Sequence, residues 1–460
     1  MNLSVVILAA GKGKRMKSRL PKVLHEALGR PMLQYVVDAV KPLKPQKTIV
    51  VTGNGAEEVK KRMDGEDGLS FVIQKELLGT GDALATAKGE LSGNTVLVLN
   101  GDCPLITAKT LKRFLNKHSR NKNDLSFLSF VDDSMSGYGR ILRSESGKVT
   151  GIIEDKHAGP EEKRKFKELN GGIYLMKTGI LKYLDRIKKN GSSGEYYLTD
   201  IVELVSKEGL KAEAYNCPAE EIRGVNTRAE LLEISDVLKR RVISKWMDRG
   251  VTFIAPDTSY IHTSVSIGRD TIIYPNTYLE GNTRIGNNCI VYPGSRIYDT
   301  IIANGVIIKD NTVIEKSRIG NESEIGPFAR LRPGSVIGRK AKIGNFVEIK
   351  KSSIGNGSKA SHLSYLGDAV IGSKVNIGAG TITCNYDGKN KFRTIIESGV
   401  FVGSDTQFVA PVKIGRDAFI AAGATVTKNV PAGSLAISRT KQQNLKGWVR
   451  RKQLKVKRQE

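Results

Sequence analysis

The chain has 460 residues, 39% of them hydrophobic, so it is long enough for two or three packed domains and too apolar for extended disorder. Its net charge of +26 is dispersed except for a dense run from Lys446 to Arg458, and few aromatics interleave with the cations, which argues against a base-stacking nucleic-acid platform. No apolar run nears the roughly 20 residues that span a bilayer, and four scattered cysteines (Cys103, Cys217, Cys289, Cys384) suit neither a disulfide framework nor a zinc site.

The apolar stretch 4–10 is short, has no basic residues before it and runs straight into glycines. It reads as a buried first strand rather than a signal peptide, which together with the unpaired cysteines implies a cytoplasmic location. Residues 47–51, 69–74 and 95–99 are strand-like in the same way, and helical stretches at 31–39, 56–63 and 81–88 alternate with them. Alternation of this kind over residues 1–226 predicts a mostly parallel, doubly wound α/β sheet (Rossmann-like), with ligands at the carboxyl ends of its strands. Thr227 and Glu230 then have the spacing of a capping box, followed by Leu231, Ile234, Leu238, Val242 and Trp246 at helical spacing. A linker helix is expected within 227–250.

From 251 to 436 another period takes over. Aliphatic residues recur every six positions at Ile267, Ile273, Leu279, Ile285, Val291 and Ile297. After a one-residue slip come Ile302, Ile308 and Ile314; after another, Ile319, Ile325, Leu331, Ile337, Ile343 and Ile349; later Ile371, Ile377, Val402, Phe408, Ile414 and Ile420. This is the hexapeptide repeat of a parallel β-helix, each aliphatic filling a narrow prism. Residues 348–372 and 384–396 break the period and are expected to project as loops, where sites are usually built. Residues 437–460 form a basic tail.

The first strand leads into Leu8-Ala9-Ala10-Gly11-Lys12-Gly13-Lys14-Arg15-Met16 and then Pro21-Lys22-Val23-Leu24. Glycines let backbone N–H groups close around phosphates, while Lys and Arg supply countercharge. The spacing is not the GxGxxG of dinucleotide sites. The segment resembles the signature of the sugar-phosphate nucleotidyltransferases. Gly79-Thr80-Gly81, Gly101-Asp102, Tyr138-Gly139-Arg140-Ile141, Ile153-Glu154, Asn170-Gly171-Gly172-Ile173-Tyr174 and Gly224-Val225-Asn226 continue the likeness in order. With the hexapeptide half attached, the whole chain resembles the bifunctional N-acetylglucosamine-1-phosphate uridyltransferase/glucosamine-1-phosphate acetyltransferase family.

That resemblance implies a left-handed β-helix and two activities that supply UDP-N-acetylglucosamine for peptidoglycan and other envelope polymers. At the uridylyl site it implies that Asp102 and Asn226 hold Mg²⁺, that Lys22 and Arg15 neutralise phosphates, and that Leu8, Ala9, Ala10 and Gly11 bind the nucleotide. Gln74, Gly79 and Thr80 would hold uracil, and Gly139, Glu154 and Asn170 the N-acetylglucosamine. Lys14, Leu77 and Asp82 depart from the family pattern, which usually has Thr, Gln and His there, and bear on fine uracil contacts.

The run Ser361-His362-Leu363-Ser364-Tyr365-Leu366-Gly367-Asp368 and its neighbours resemble the acetyltransferase half. Acetyl transfer to an amine needs a base, and His362 is the natural one, histidine being the side chain type that exchanges protons near neutral pH. By resemblance Glu348 tunes or orients His362. Arg332, Lys350, Tyr365, Asn376 and Lys391 bind the sugar phosphate, and Ala379, Asn385, Tyr386, Ser404, Ala422 and Arg439 line the acetyl-CoA site. Cys384 reads as a structural thiol. A homotrimer with sites between subunits follows from the same likeness. The competing reading is a nucleotidyltransferase whose β-helix only assembles the protein.

Overall fold

The computed structural model describes residues 2–53, 55–133 and 135–456. The chain divides into two compact units, Met1–Lys239 and Arg240–Glu460.

The first unit is built on a nine-stranded sheet. Its strands in chain order are β1 (Leu3–Ala9), β2 (Lys47–Thr52), β3 (Leu69–Ile73), β4 (Thr95–Asn100), β5 (Leu125–Val131), β6 (Arg140–Arg143), β7 (Val149–Ile153), β8 (Glu168–Lys177) and β9 (Ala212–Asn216). The main spatial order is β9-β5-β8-β4-β1-β2-β3, with β6 pairing β8 and β7. β1 runs parallel to both β2 and β4, while β8 is antiparallel to β4 and β5. Successive β1 side chains alternate between two cores, Val5 and Ile7 on one face and Val6 on the other. The first core takes Leu33, Val36 and Val37 of helix α1 (Met32–Val40), and the second takes Ala83 and Leu84 of a later helix (Thr80–Ala87). Helices on both faces make this the expected doubly wound unit. From β1 the chain goes outward to β2 and β3, then returns to the other side of β1 as β4. The crevice between the ends of β1 and β4 is therefore the topological switch point.

The helix Arg228–Met247 starts with the expected capping box: Glu230 N donates to Thr227 Oγ1 at 3.2 Å, and Thr227 N to Glu230 Oε2 at 3.1 Å. The boundary between the two units falls inside this helix.

The second unit is a left-handed parallel β-helix with three faces, sheets of eleven, ten and nine short strands. Each strand pairs with one a coil further on, 18 residues away for Ile272 and Ile290 or 17 for Ile290 and Ile307. The one-residue slips in the sequence pattern are the 17-residue coils. Every aliphatic of the hexapeptide series is buried, and each fully buried side chain of this size is worth roughly 1.5–3 kcal/mol.

One expectation fails here. Residues 348–372 do not project; the coil continues through Ile354, Ala360 and Leu366 to Ile371, all buried. An alanine in an aliphatic slot and two 17-residue coils hide the period. His362 therefore ends a strand, Lys359–His362, instead of sitting in a loop. The second break is a true excursion: residues 385–393 form a hairpin closed by the Tyr386–Lys391 bridge, between strands Ile382–Cys384 and Thr394–Ile396. Of the basic tail, a short helix Trp448–Val456 is described, and Arg458 lies outside the described residues.

Candidate functional sites

Two adjoining hollows of about 610 and 590 Å³ open at the switch point and share Leu8, Thr80, Asn100 and Asp102 in their walls. Every expected residue of the uridylyl site lines one of them. Ala9, Ala10, Gly11, Lys22, Gln74 and Gly79 line the smaller; Arg15, Gly139, Glu154, Asn170 and Asn226 line the larger.

The backbone assembles this crevice. Gly101 N donates to Leu8 O at 2.9 Å, and Val225 N donates to Asp102 O at 3.0 Å, which sets Asn226 beside Asp102. Gly13 has φ +57°, and a Cβ there would lie 2.7 Å from Lys22 Cβ, so the loop can close on Lys22 only as glycine. Gly79, at φ +103°, is packed as tightly: a Cβ would meet Tyr196 O at 2.6 Å.

Between the hollows Lys22 Nζ donates to Asp102 Oδ2 and, at 3.2 Å, to Asn226 Oδ1. Two side-chain oxygens thus converge on one cation, here an ammonium. The same pair suits Mg²⁺, a hard cation held by one or two side-chain oxygens together with substrate phosphates. Among the described residues no group of three or more His, Cys, Asp or Glu gathers into a protein-only cage. The capping box also serves the crevice, because Glu230 accepts from the Asn226 backbone N–H as well.

In the larger hollow, Asn170 Nδ2 donates to Tyr174 Oη at 2.7 Å, and Thr199 Oγ1 donates to Glu154 Oε1 at 2.8 Å. Burial raises the Tyr174 phenol far above its usual pKa, so it stays protonated. Asn100, Thr199 and Tyr197 line the hollows but were not singled out in the sequence. Strand-end position marks Asn100; nothing local marks the other two.

In the β-helix, Asn345 and His362 are paired in register one coil apart, and His362 Nδ1 lies 2.7 Å from Asn345 Oδ1. An amide oxygen only accepts, so Nδ1 carries the proton and Nε2 is left as the basic nitrogen. Glu348 does not take this role: its Oε1 accepts from Arg332 Nη1 at 2.8 Å. Asn345 was missed because it lies 17 residues away, and only the coil length brings the two together.

Ala379, Ser404 and Ala422 follow His362 at the same corner of successive coils, linked by Asp405 N to Ala379 O at 2.7 Å and Gly423 N to Ser404 O at 2.8 Å. Arg439 Nη1 donates to Ala422 O. Asn385 donates to Asp368 at the base of the hairpin that carries Tyr386 and Lys391. On the ten-stranded face, Arg332, Lys350 and Tyr365 come from neighbouring strands. Lys391 lies close enough to Lys350 to lower its pKa, the effect of one ammonium on another. Cations crowded in this way suit a phosphate. Asn376 lies instead on the eleven-stranded face, between Lys359 and Phe401.

Three family models match in chain order: a MobA-like NTP transferase domain over residues 5–150, a GMPPB C-terminal domain over 256–341, and six bacterial transferase hexapeptides over 393–428. Nucleotidyltransferase sheet and hexapeptide β-helix on one chain define a two-domain transferase. Full-length relatives are more specific. "Bifunctional protein GlmU" of Thermodesulfovibrio yellowstonii is 49% identical, covering 98% of this chain and 99% of its own. Those of Clostridium novyi and Alkaliphilus metalliredigens are 47% and 46% identical, covering 99% and 98% of this chain and 100% and 99% of theirs. The chain belongs to the bifunctional GlmU family, which joins a uridylyltransferase to an acetyltransferase in UDP-N-acetylglucosamine synthesis.

Proposed function

We propose that the twin hollow of residues 1–226 performs uridylyl transfer and that the His362 corner of residues 251–436 performs acetyl transfer. The observation that carries the first assignment is the convergence of Lys22, Asp102 and Asn226 between the two hollows. UTP occupies the smaller hollow and N-acetylglucosamine-1-phosphate the larger. An oxygen of the sugar phosphate attacks the α-phosphorus in line, and pyrophosphate leaves. Such a transfer depends on positioning and charge neutralisation. Lys22 and the loop amides after β1 hold the phosphates, and Asn170 and Glu154 hold the sugar. When bound by Asp102 and Asn226, Mg²⁺ supplies further charge neutralisation.

At the second site, His362 Nε2 removes a proton from the amine of glucosamine-1-phosphate as the nitrogen attacks the thioester carbonyl of acetyl-CoA, and the CoA thiolate leaves. Arg332, Lys350 and Lys391 bind the phosphate. Transfer is direct, Cys384 serving only as a structural thiol. Acetylation comes first, and its product is the acceptor in the first unit.

Two features support a homotrimer. The sugar-phosphate residues are divided between two faces of the prism, so a neighbouring copy is needed to complete the site. Beside the corner stands an exposed ridge of Phe328, Phe346 and Leu363, with the two rings stacked 5.4 Å apart. In such an assembly the basic tail closes over an acidic CoA or phosphate ligand. Residues 227–250 link the two domains. A cytoplasmic location fits four free cysteines, and among the described residues no helix is long and apolar enough to cross a membrane.

The test is a pair of variants assayed for both half-reactions. Asp102→Ala is expected to abolish uridylyl transfer and spare acetyl transfer; His362→Ala is expected to do the reverse. Unchanged CoA release in His362→Ala would leave the β-helix as an assembly module.

A further inference from the structure

Gln74 follows β3 directly, and its side chain is only 4% exposed. Its Nε2 donates twice, to Gly79 O at 3.1 Å and to Asp82 Oδ2 at 2.6 Å. A peptide carbonyl and a carboxylate can only accept, so turning the amide over would set oxygen against oxygen at both contacts. Both N–H groups are thus committed, and Oε1 is the polar atom that Gln74 has left to offer. Gln74 lines the smaller hollow, whereas Asp82 does not. Among the described residues the Asp82 carboxylate takes no other hydrogen bond.

We infer that Asp82 is a positioning residue for base selection. By holding the Gln74 amide in one orientation, it makes this wall of the hollow present a hydrogen-bond acceptor to the incoming base. The neighbouring backbone contributes donors: at the start of the helix Thr80–Ala87, Gly81 N–H goes to Tyr196 O and Ala83 N–H to Gly79 O, which among the described residues leaves the Gly79 and Thr80 amides for this wall of the hollow. An acceptor beside donors matches the uracil edge, where N3–H donates and the flanking carbonyls accept. Cytosine presents an unprotonated N3 at the same point, so two acceptors would face each other. The inference rests on the reading of this hollow as the UTP site and adds the device that sets its pyrimidine preference.

The experiment measures kcat/KM for UTP and CTP with the full chain, Mg²⁺ and N-acetylglucosamine-1-phosphate, for wild type, Asp82→Ala and Asp82→Asn, with melting temperature alongside. Wild type is expected to favour UTP by about a thousandfold or more, as sites built around a required hydrogen bond do. Asp82→Ala frees the amide to turn, so the UTP-to-CTP ratio is expected to fall at least about tenfold, mainly through KM for UTP. Asp82→Asn keeps an acceptor oxygen in place and is expected to retain most of the ratio. Acetyl transfer stays unchanged in both variants. A lower melting temperature with an unchanged ratio in Asp82→Ala would reduce Asp82 to a helix-stabilising residue and overturn the inference. Wild type that turns over no UTP would overturn the assignment of the hollow itself.

Discussion

Arg228 donates from Nη1 to Nδ1 of His25 at 3.1 Å, tying the segment that carries Lys22 to the segment that carries Asn226. With Nδ1 accepting, the proton sits on the buried Nε2. Burial first, and then the Arg228 charge, lower the pKa of His25, so it stays neutral. A buried hydrogen bond that loses one partner costs about 1–3 kcal/mol, and here the loss falls on the crevice. His25→Ala is expected to reduce uridylyl kcat/KM by about tenfold, an amount within that range. The Mg²⁺ concentration for half-maximal rate should rise, and acetyl transfer should be unaffected. Equal losses in both reactions would point to general destabilisation instead.

The Asn345–His362 pair makes a second prediction. Removing the group that fixes a catalytic histidine's tautomer can cost as much as about 10⁴-fold when the wrong tautomer results. Asn345→Ala leaves the ring free rather than wrongly held, so a smaller fall in acetyl kcat, about 10–100-fold, is expected, with little change in KM for acetyl-CoA. Glu348→Gln should act differently, raising KM for glucosamine-1-phosphate by loosening Arg332.

His118 gives the first unit a pH dependence. It is 3% exposed, and its pKa is lowered to about 4, chiefly by burial and next by Lys177. The unfolded chain takes up this proton near pH 6.5, the folded one only near 4. Stability from this group is therefore complete above pH 6.5 and is lost as pH falls towards 4, by roughly 3 kcal/mol in all. Urea unfolding followed between pH 7 and 4 should show the loss, and His118→Gln should flatten it.

The prism core should be sensitive residue by residue. Ile308 is fully buried, and Ile308→Ala is expected to cost roughly 2–5 kcal/mol. Ile301, on the outside of the same coil and 46% exposed, should cost less than about 0.5 kcal/mol when changed to Ala. Thermal melts followed by circular dichroism would separate the two.

Much of this was legible in the sequence, for reasons that differ by region. The Ile267–Ile349 series is readable because a three-faced coil repeats one buried slot every six residues. Ala360 interrupts it because alanine fills the slot without looking like core. Leu8–Met16 and Asp102 were readable as strand-end segments, where a doubly wound sheet puts its ligands. Thr199, on a loop far from β1, has no such signature. Nor could Asn345 be matched to His362, or Gln74 to Asp82, before coil length and helix start were known. Both pairs turn on which side-chain atom faces the partner, a property of geometry that composition does not record.

The corner that holds His362, Ala379, Ser404 and Ala422 is also a ruler. Strands in a sheet are spaced about 4.8 Å apart, so these four positions span three steps, about 14 Å. A donor laid along them has its reactive end measured off from Ala422 in whole coils. Inserting one coil between Ser404 and Ala422 would move the proposed base by a full strand spacing from the thioester while leaving every individual residue of the site intact.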